Sequence, residues 1–478
     1  MAIGCNSFTK NIIDGKEVKL NFSNKRDFYK KIDLHHNTPV HIIVASGRET
    51  LINSLIINDI SFYKKNLIGE TPCFTAIRFG YINIIKKLIT KKLCSLDSQN
   101  DLEENLLLYS LRHKIFWLFD YYKKQDLDYD VSNSSGHGVI YYLIKYFSQD
   151  QAISYMKSLE ISKNYLDKNN NSILHIATLL KKNKVLKKSL QFYEKKEISN
   201  HLNKNQQTAL HQAVFSQNIK AIKILTMLNV DMDIRDSQGK TALFLATEFN
   251  NIEFAFKLLL KKANTNITDD EGHSCLHWSL QHRSLNMAKI LYKYGAKIDS
   301  KDSKGHSFLI RSIEENQLVF VRWIISLPEG KNLIYQADLK GATPLIWGAA
   351  KGNLYIVRLL LNNGGNINGI ANDGNSVLLW AVSKGNLRVV KYLLSSEKNK
   401  KKKVDINHHN KKGDTALLIA SHLGFKRIVS LLLEYNPNSS IVNEDGLDAY
   451  TTAKMRNHNT IANMLRYYNM KKSRQRIK

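Results

Sequence analysis

Cysteine, proline and negative charge are all scarce in this chain of 478 residues. Four cysteines, Cys5, Cys73, Cys94 and Cys275, are too few for a disulfide-dense secreted scaffold. Their scattered spacing also excludes a contiguous CxxC zinc site. No run of 18 or more apolar residues occurs, so no membrane-spanning helix is expected. The opening Met1-Ala2-Ile3-Gly4-Cys5-Asn6-Ser7 lacks the long apolar core of a secretory signal. Together these absences point to a reduced, aqueous, cytoplasmic setting. The phosphate loop, the His-Glu-x-x-His helix and the Gly-x-Ser-x-Gly elbow are missing too. No His or Asp partner for Cys5 is readable, so the chain reads as non-enzymatic, with no metal or cofactor.

What is present is 43% apolar residues, too many for a disordered chain, in a length that one compact core rarely organises. Either several domains or a repeat growing in one dimension is required. Acidic residues number 42 against 70 Lys and Arg, a net charge of +28 that would ordinarily suggest nucleic acid or anionic lipid as partner. Lysine accounts for 55 of those 70 and is accompanied by abundant Asn and Ile, all encoded by A/T-rich codons, so genome bias supplies part of the charge. The charge is also uneven: residues 101–300 carry +6, whereas 401–478 carry +9.

A period near 33 organises the chain. Gly-x-Thr/Ser recurs with its glycine at Gly239, Gly272, Gly305, Gly341, Gly374 and Gly413, spaced 33, 33, 36, 33 and 39. Extending the register gives further anchors at 36, 69, 103, 136, 170, 206 and 446, thirteen units in all. Positions not used to set the register support it. Three residues before the anchor, twelve of thirteen units carry Asp or Asn; Ala371 is the exception. Four residues after the anchor the residue is apolar, or Tyr450, and seven after it is usually Ala, Ser or Gly.

The physical reading is direct. Asp or Asn closes a turn with its own side chain, Gly accepts positive φ, and the Thr or Ser that follows is a natural N-cap. Small residues in the first helix let a second, amphipathic helix approach, as in Ile356-Val357-Arg358-Leu359-Leu360-Leu361. Each unit is therefore turn, short helix, turn, longer helix, and buries its apolar face only on its neighbours.

Thr38-Pro39-Val40-His41, Ser172-Ile173-Leu174-His175, Thr208-Ala209-Leu210-His211 and Ser274-Cys275-Leu276-His277 approximate the Thr-Pro-Leu-His segment of ankyrin repeats. Gly295-Ala296-Lys297-Ile298-Asp299 and Gly364-Gly365-Asn366-Ile367-Asn368 match that family's helix-ending segment. From residue 33 to about 468 the chain thus resembles an ankyrin-repeat protein. The resemblance implies an all-α solenoid of about thirteen helix-turn-helix units that binds proteins on its concave face. Units anchored at 103 and 136 depart furthest, which divides the chain into a cap (1–32), degenerate repeats (33–165), a regular array (166–468) and a basic tail (469–478). The cap reads as a small hairpin around Asp14-Gly15 followed by a short helix, and the tail as disordered. The composition and the degenerate early units also resemble ankyrin-repeat effectors of intracellular bacteria, implying a monomer acting on a protein in host cytosol or nucleus.

Candidate binding residues follow. Six residues after the anchor stand Trp278, Arg311, Trp347 and Trp380, expected either to fill the core or to form a stripe with Arg311 between indoles. Carried over from the family, the variable surface includes Asp270, Glu271, His273, Lys304, His306 and Lys340, with Asn372, Asp373, Lys411 and Lys412, at turn tips. At first-helix ends it includes Phe79, Tyr146, Phe215, Phe249, Glu314, Glu315, Lys351 and Lys384, with Phe215 and Phe249 expected to be an exposed patch. Lys398, Lys400, Lys401, Lys402 and Lys403, and the terminal Lys471, Lys472, Arg474 and Arg476, form basic segments. They would serve an alternative role as an adaptor for nucleic acid or anionic lipid. Cys73 and Cys275 fall at the apolar core position, where free cysteine packs as a small hydrophobe.

Overall fold

A computed structural model describes residues 10–12, 14–125, 131–158, 165–192, 200–227, 230–395 and 403–476, with backbone alone at 191–192 and 474–476. Among these residues the structure is all helical, with no strand. It contains thirteen helix pairs, from Pro39–Ala45 with Glu49–Ile57 to Ala449–Met455 with Asn459–Arg476. Every first helix begins three residues after its anchor, as the register requires.

The anchors adopt the conformation that the glycines imply. All thirteen have positive φ, including the four that are not glycine: His36 (55°), Glu103 (56°), Asn170 (60°) and Gln206 (56°). The Asp or Asn three residues earlier holds the turn. Asp302 Oδ1, for example, accepts from the N–H of Lys304 (2.9 Å) and of His306 (2.9 Å), and Asn410 Oδ1 accepts from Lys412 and Asp414. Isolated antiparallel bridges flank seven of these tips, such as Thr268 with Ser274 and Lys301 with Ser307. At Ala371, where no such side chain exists, Asp373 Oδ1 accepts the N–H of Asn375 instead (2.8 Å).

A second left-handed position lies eleven residues after the anchor, between the two helices of a pair. It is glycine at Gly47, Gly80, Gly352, Gly385 and Gly424, and Lys, Gln, Asn or Arg in most other units. The unit anchored at Gly136 breaks this pattern, because its first helix ends at Phe147 in an extended conformation (φ −107°). That unit is one of the two whose sequence strays furthest.

The chain forms two compact units, 1–231 and 232–478. Within each, first helices pack on first helices of the next repeat and second helices on second helices. The core is the apolar ladder these faces bury, with Phe74, Leu107 and Leu174 in one unit and Phe308, Leu345 and Leu378 in the other. This division is separate from the one drawn at residue 165 on sequence regularity. The longer spacing between Gly305 and Gly341 is taken up by an extra turn of helix, Gly330–Leu333.

Both ends differ from expectation. Asp14-Gly15 does not join two strands: residues 10–12 are helical, and the N–H of Asp14 and Lys16 bond back to the carbonyls of Lys10 and Asn11. The expected short helix is present as a 3₁₀ turn, Lys25–Tyr29. At the other end the tail is not irregular, because the last helix runs unbroken from Asn459 to Arg476. Its anchorage explains this: Tyr468 Oη (3.1 Å) and Lys472 Nζ (3.1 Å) both donate to the Pro437 carbonyl.

Candidate binding groove in the second unit

The −3 Asp does more than close its turn. Nine residues separate it from the side chain on the next helical turn of the first helix, which lies back over the same tip. Trp347 Nε1 donates to Asp338 Oδ2 (2.9 Å), and Arg311 Nε donates to Asp302 Oδ2 (2.7 Å). Arg311 also holds Glu314 (2.9 Å), so it is tied to carboxylates rather than sandwiched between indoles. The cations over the indoles are lysines: Lys240 over Trp278 (5.5 Å), Lys351 over Trp347 (6.0 Å) and Lys384 over Trp380 (5.8 Å). Burial acts to raise the Asp302 carboxyl, but the His306 N–H, the Arg311 guanidinium and the Lys304 N–H together hold it below its ordinary value.

Trp380 lacks this arrangement, because Ala371 stands where a carboxylate would receive its indole. Its Nε1 is buried with no partner, as is that of Trp278. For Trp278 the equivalent carboxylate, Asp269, faces His273 Nδ1 instead (3.6 Å).

A second recurring pair joins the residue just after the anchor to the one eight further on. Lys240 Nζ meets Glu248 (2.7 Å), and His306 Nδ1 lies 3.5 Å from Glu314. In the unit anchored at Gly341 both positions are alanine, Ala342 and Ala350. With Ala371 also small, a groove of about 600 Å³ opens along this face. Its apolar lining is Ile346, Trp347, Trp380 and these three alanines; Leu339, Lys340, Asn372, Asp373 and Lys411 border it. The volume is that of an ordinary ligand cleft. The concurrence of alanine at 342, 350 and 371 was the sequence signal for it, and it becomes readable only once the filled positions in other repeats are known.

Family models supply the comparison. Models described as ankyrin repeats match residues 220–302 and 309–404 (three copies) and 40–89 (many copies), and a single ankyrin-repeat model matches 412–444. The chain belongs to the ankyrin-repeat family. Its repeats are generic protein–protein interaction modules. No curated protein matches the chain.

The remaining sequence candidates divide in the ankyrin frame. Asp270, Glu271, Lys304 and Lys340 are exposed at tips, with Asp270 paired to Arg235 (2.8 Å). His273 is half-buried. His306 is not a surface residue: it is 5% exposed, packs edge-on to Trp347 (5.1 Å) and sits 3.6 Å from Asp338. Phe215 and Phe249 are exposed, but they belong to different compact units. Lys398, Lys400, Lys401 and Lys402 lie outside the described residues, as does Cys5. The Lys403 carbonyl accepts from Asn368 (2.9 Å). Lys471 is exposed, Lys472 is spent on Pro437 and Tyr468, and Arg474 and Arg476 fall on the last turn of the final helix.

The row of tetrapeptide histidines is structural. Nδ1 of His41, His175, His211 and His277 meets the Thr or Ser hydroxyl three residues back (2.8–2.9 Å). The Nε2 atoms of His41 and His175 reach carbonyls of the next repeat, Glu70 (3.0 Å) and Gln207 (2.8 Å). Burial pushes His175 and His277 down to about 4. Among the described residues no cluster could hold a metal.

Two features of the first unit were not legible in the sequence. Cys73 is not a free core thiol but is disulfide-bonded to Cys94, a departure from the reduced setting expected from the scarcity of cysteine; Cys275, in the second unit, is free, buried, and pushed by that burial up to about 12. Glu70 and Glu104 are buried carboxylates. Each receives an arginine eight residues on, Arg78 and Arg112 (the latter 3.1 Å). Each also receives a tyrosine hydroxyl from the next repeat, Tyr109 (2.9 Å) and Tyr142 (2.5 Å). Burial pushes the Tyr109 phenol up to about 12.

Proposed function

We propose that the chain is a non-enzymatic interaction scaffold and that the groove over residues 338–411 is where a partner protein docks. One observation carries this. Three alanines replace the side chains that close the same face elsewhere, and they leave two tryptophans lining an open apolar cleft of about 600 Å³. Trp is among the residue types that dominate binding energy when a partner desolvates it, and the stacked helices hold both indoles in place before binding. The Lys-, Asn- and Ile-rich composition supports placing this scaffold among effectors that act on a host protein in cytosol or nucleus.

The test is to fill the groove. An Ala350→Leu variant keeps the helix and occupies the cleft. Captured partners should be lost while the melting temperature changes little; retention of every partner at unchanged affinity would remove the groove as the docking site.

A further inference from the structure

We infer that the occupant of this groove is an acidic peptide segment of a partner protein, seating one bulky apolar side chain against Trp347 and Trp380 while its carboxylates meet the surrounding lysines. The inference rests on the docking reading above and adds the chemistry of what docks.

The floor admits an alkyl or aryl side chain and little else. It is made of Ile346, the two indoles and alanine methyls, and the Trp347 Nε1 is spent on Asp338 (2.9 Å). On the floor itself a nucleobase would find no edge partner, because the Trp380 Nε1 is buried beneath the surface; Asn372 and Asp373 stand only at the border. A cationic side chain is also a poor occupant. Lys351 and Lys384 already lie over the indole rings (6.0 and 5.8 Å). The Asp338 carboxylate is shut away, receiving Trp347 and the N–H groups of Lys340 (2.8 Å) and Ala342 (2.9 Å).

The border has the opposite character. Lys340, Lys351, Lys384 and Lys411 are all exposed around the cleft. Among the residues lining the groove the one exposed carboxylate is Asp373, which accepts the Asn375 N–H (2.8 Å) and side-chain amide (2.7 Å). An apolar floor within a positive rim is complementary to an apolar residue flanked by Asp or Glu.

The folding-safe test is Ala371→Asp. Twelve of thirteen repeats already carry Asp or Asn at this position, so the variant restores a turn acceptor and offers Trp380 Nε1 the bond that Trp347 has. It should raise the melting temperature while narrowing the groove and adding negative charge. A display library of random dodecapeptides is selected on the full-length protein, with Ala371→Asp as counter-selection. Recovered peptides should carry a bulky apolar residue flanked by acids. Their affinity should fall about tenfold between low and high salt, and by at least about tenfold in Lys340→Glu/Lys411→Glu. Recovery of peptides sensitive to Ala371→Asp but basic or uncharged would overturn the acidic chemistry and leave the docking reading standing. Recovery of none sensitive to Ala371→Asp would overturn both. A fluorescein-labelled twelve-nucleotide single strand displaced by Ala371→Asp would transfer the groove to nucleic acid and overturn the peptide assignment.

Discussion

The two compact units build the same repeat by different means. All seven anchors of the second unit, from Gly239 to Gly446, are glycine, and all have positive φ. Four of the six anchors in the first unit are His36, Glu103, Asn170 and Gln206, which reach the same conformation with a side chain attached. Left-handed backbone costs an L-residue about 1–2 kcal/mol, and at these anchors the turn acceptor offsets it: Asp33 Oδ1 accepts from the N–H of Asn37, Asn100 Oδ1 from Glu104, Asp167 Oδ1 from Asn171 and Asn203 Oδ1 from Gln207. The first unit also carries buried Glu70 and Glu104, each tied to an arginine and a cross-repeat tyrosine, and a disulfide at Cys73–Cys94. The second unit instead leaves a face partly unfilled. Both units thus hold buried polar networks, around Glu70 and Glu104 in the first and around Asp302, His306 and Asp338 in the second, but only beside the latter do small side chains leave an open apolar face.

The largest expected contrast is with pH. Burial lowers His41, His113, His137 and His175 in the first unit and His277 in the second, with His175 and His277 reaching about 4. These groups bind protons more tightly when unfolded, so the stability they confer is complete above pH 6.5 and is lost as pH falls toward 4. For His175 and His277, one in each unit, a shift of that size corresponds to about 3 kcal/mol, so the contrast between the units rests on the further lowered histidines of the first. Hydrogen exchange resolved by unit should show the first unit opening earlier on acidification, and equal protection in both at pH 4.5 would break the comparison.

Reduction of Cys73–Cys94 should destabilise only the first unit, by about 3 kcal/mol for a loop closed across a sequence separation of 21. Melting curves with and without a phosphine reductant check this; a downward shift assigned to the second unit contradicts it. Next in size is Glu104→Ala, which strands Arg112 and Tyr142. We expect a loss of about 2–3 kcal/mol, toward the low side for a buried pair because Arg112 keeps 41% of its side-chain surface exposed. The matching Glu248→Ala in the second unit removes a carboxylate that is 22% exposed rather than fully buried, takes this ion pair from Lys240, itself 14% exposed, and should cost about 1–2 kcal/mol. Urea titration of both variants sharpens or erases the difference.

The smallest effect has opposite signs in the two halves. Glu103→Gly should gain about 0.5–1 kcal/mol by relieving a left-handed Glu. Gly374→Ala should lose stability, because a Cβ there would meet the Lys411 backbone nitrogen at 2.6 Å. Melting temperatures moving in the same direction would show that the anchors are not held as described.

Much of the fold was legible because its determinants are local. Asp or Asn, the anchor and the N-cap sit within six residues of one another, so a thirty-three-residue beat exposes them. The second left-handed position was equally local, in Gly47, Gly80, Gly352, Gly385 and Gly424, and went unread because lysine, glutamine and arginine share it. The candidate site was only half legible. Trp347, Trp380 and Lys340 were singled out by repeat position, but the cleft they share depends on Ala342, Ala350 and Ala371, residues that attract no notice singly. His306 misled for a related reason: a tip position is exposed unless the next repeat covers it, and Asp338 and Trp347 do.

The amino-acid sequence alone determined the period, the turn register and the helical class, since each follows from backbone preference and apolar spacing inside one repeat. Only the tertiary structure decided which carboxylates are buried, which thiols pair and where a cleft opens. Most of these outcomes join side chains some 20 to 39 positions apart in the chain, and packing rather than local propensity sets what such neighbours leave filled or empty.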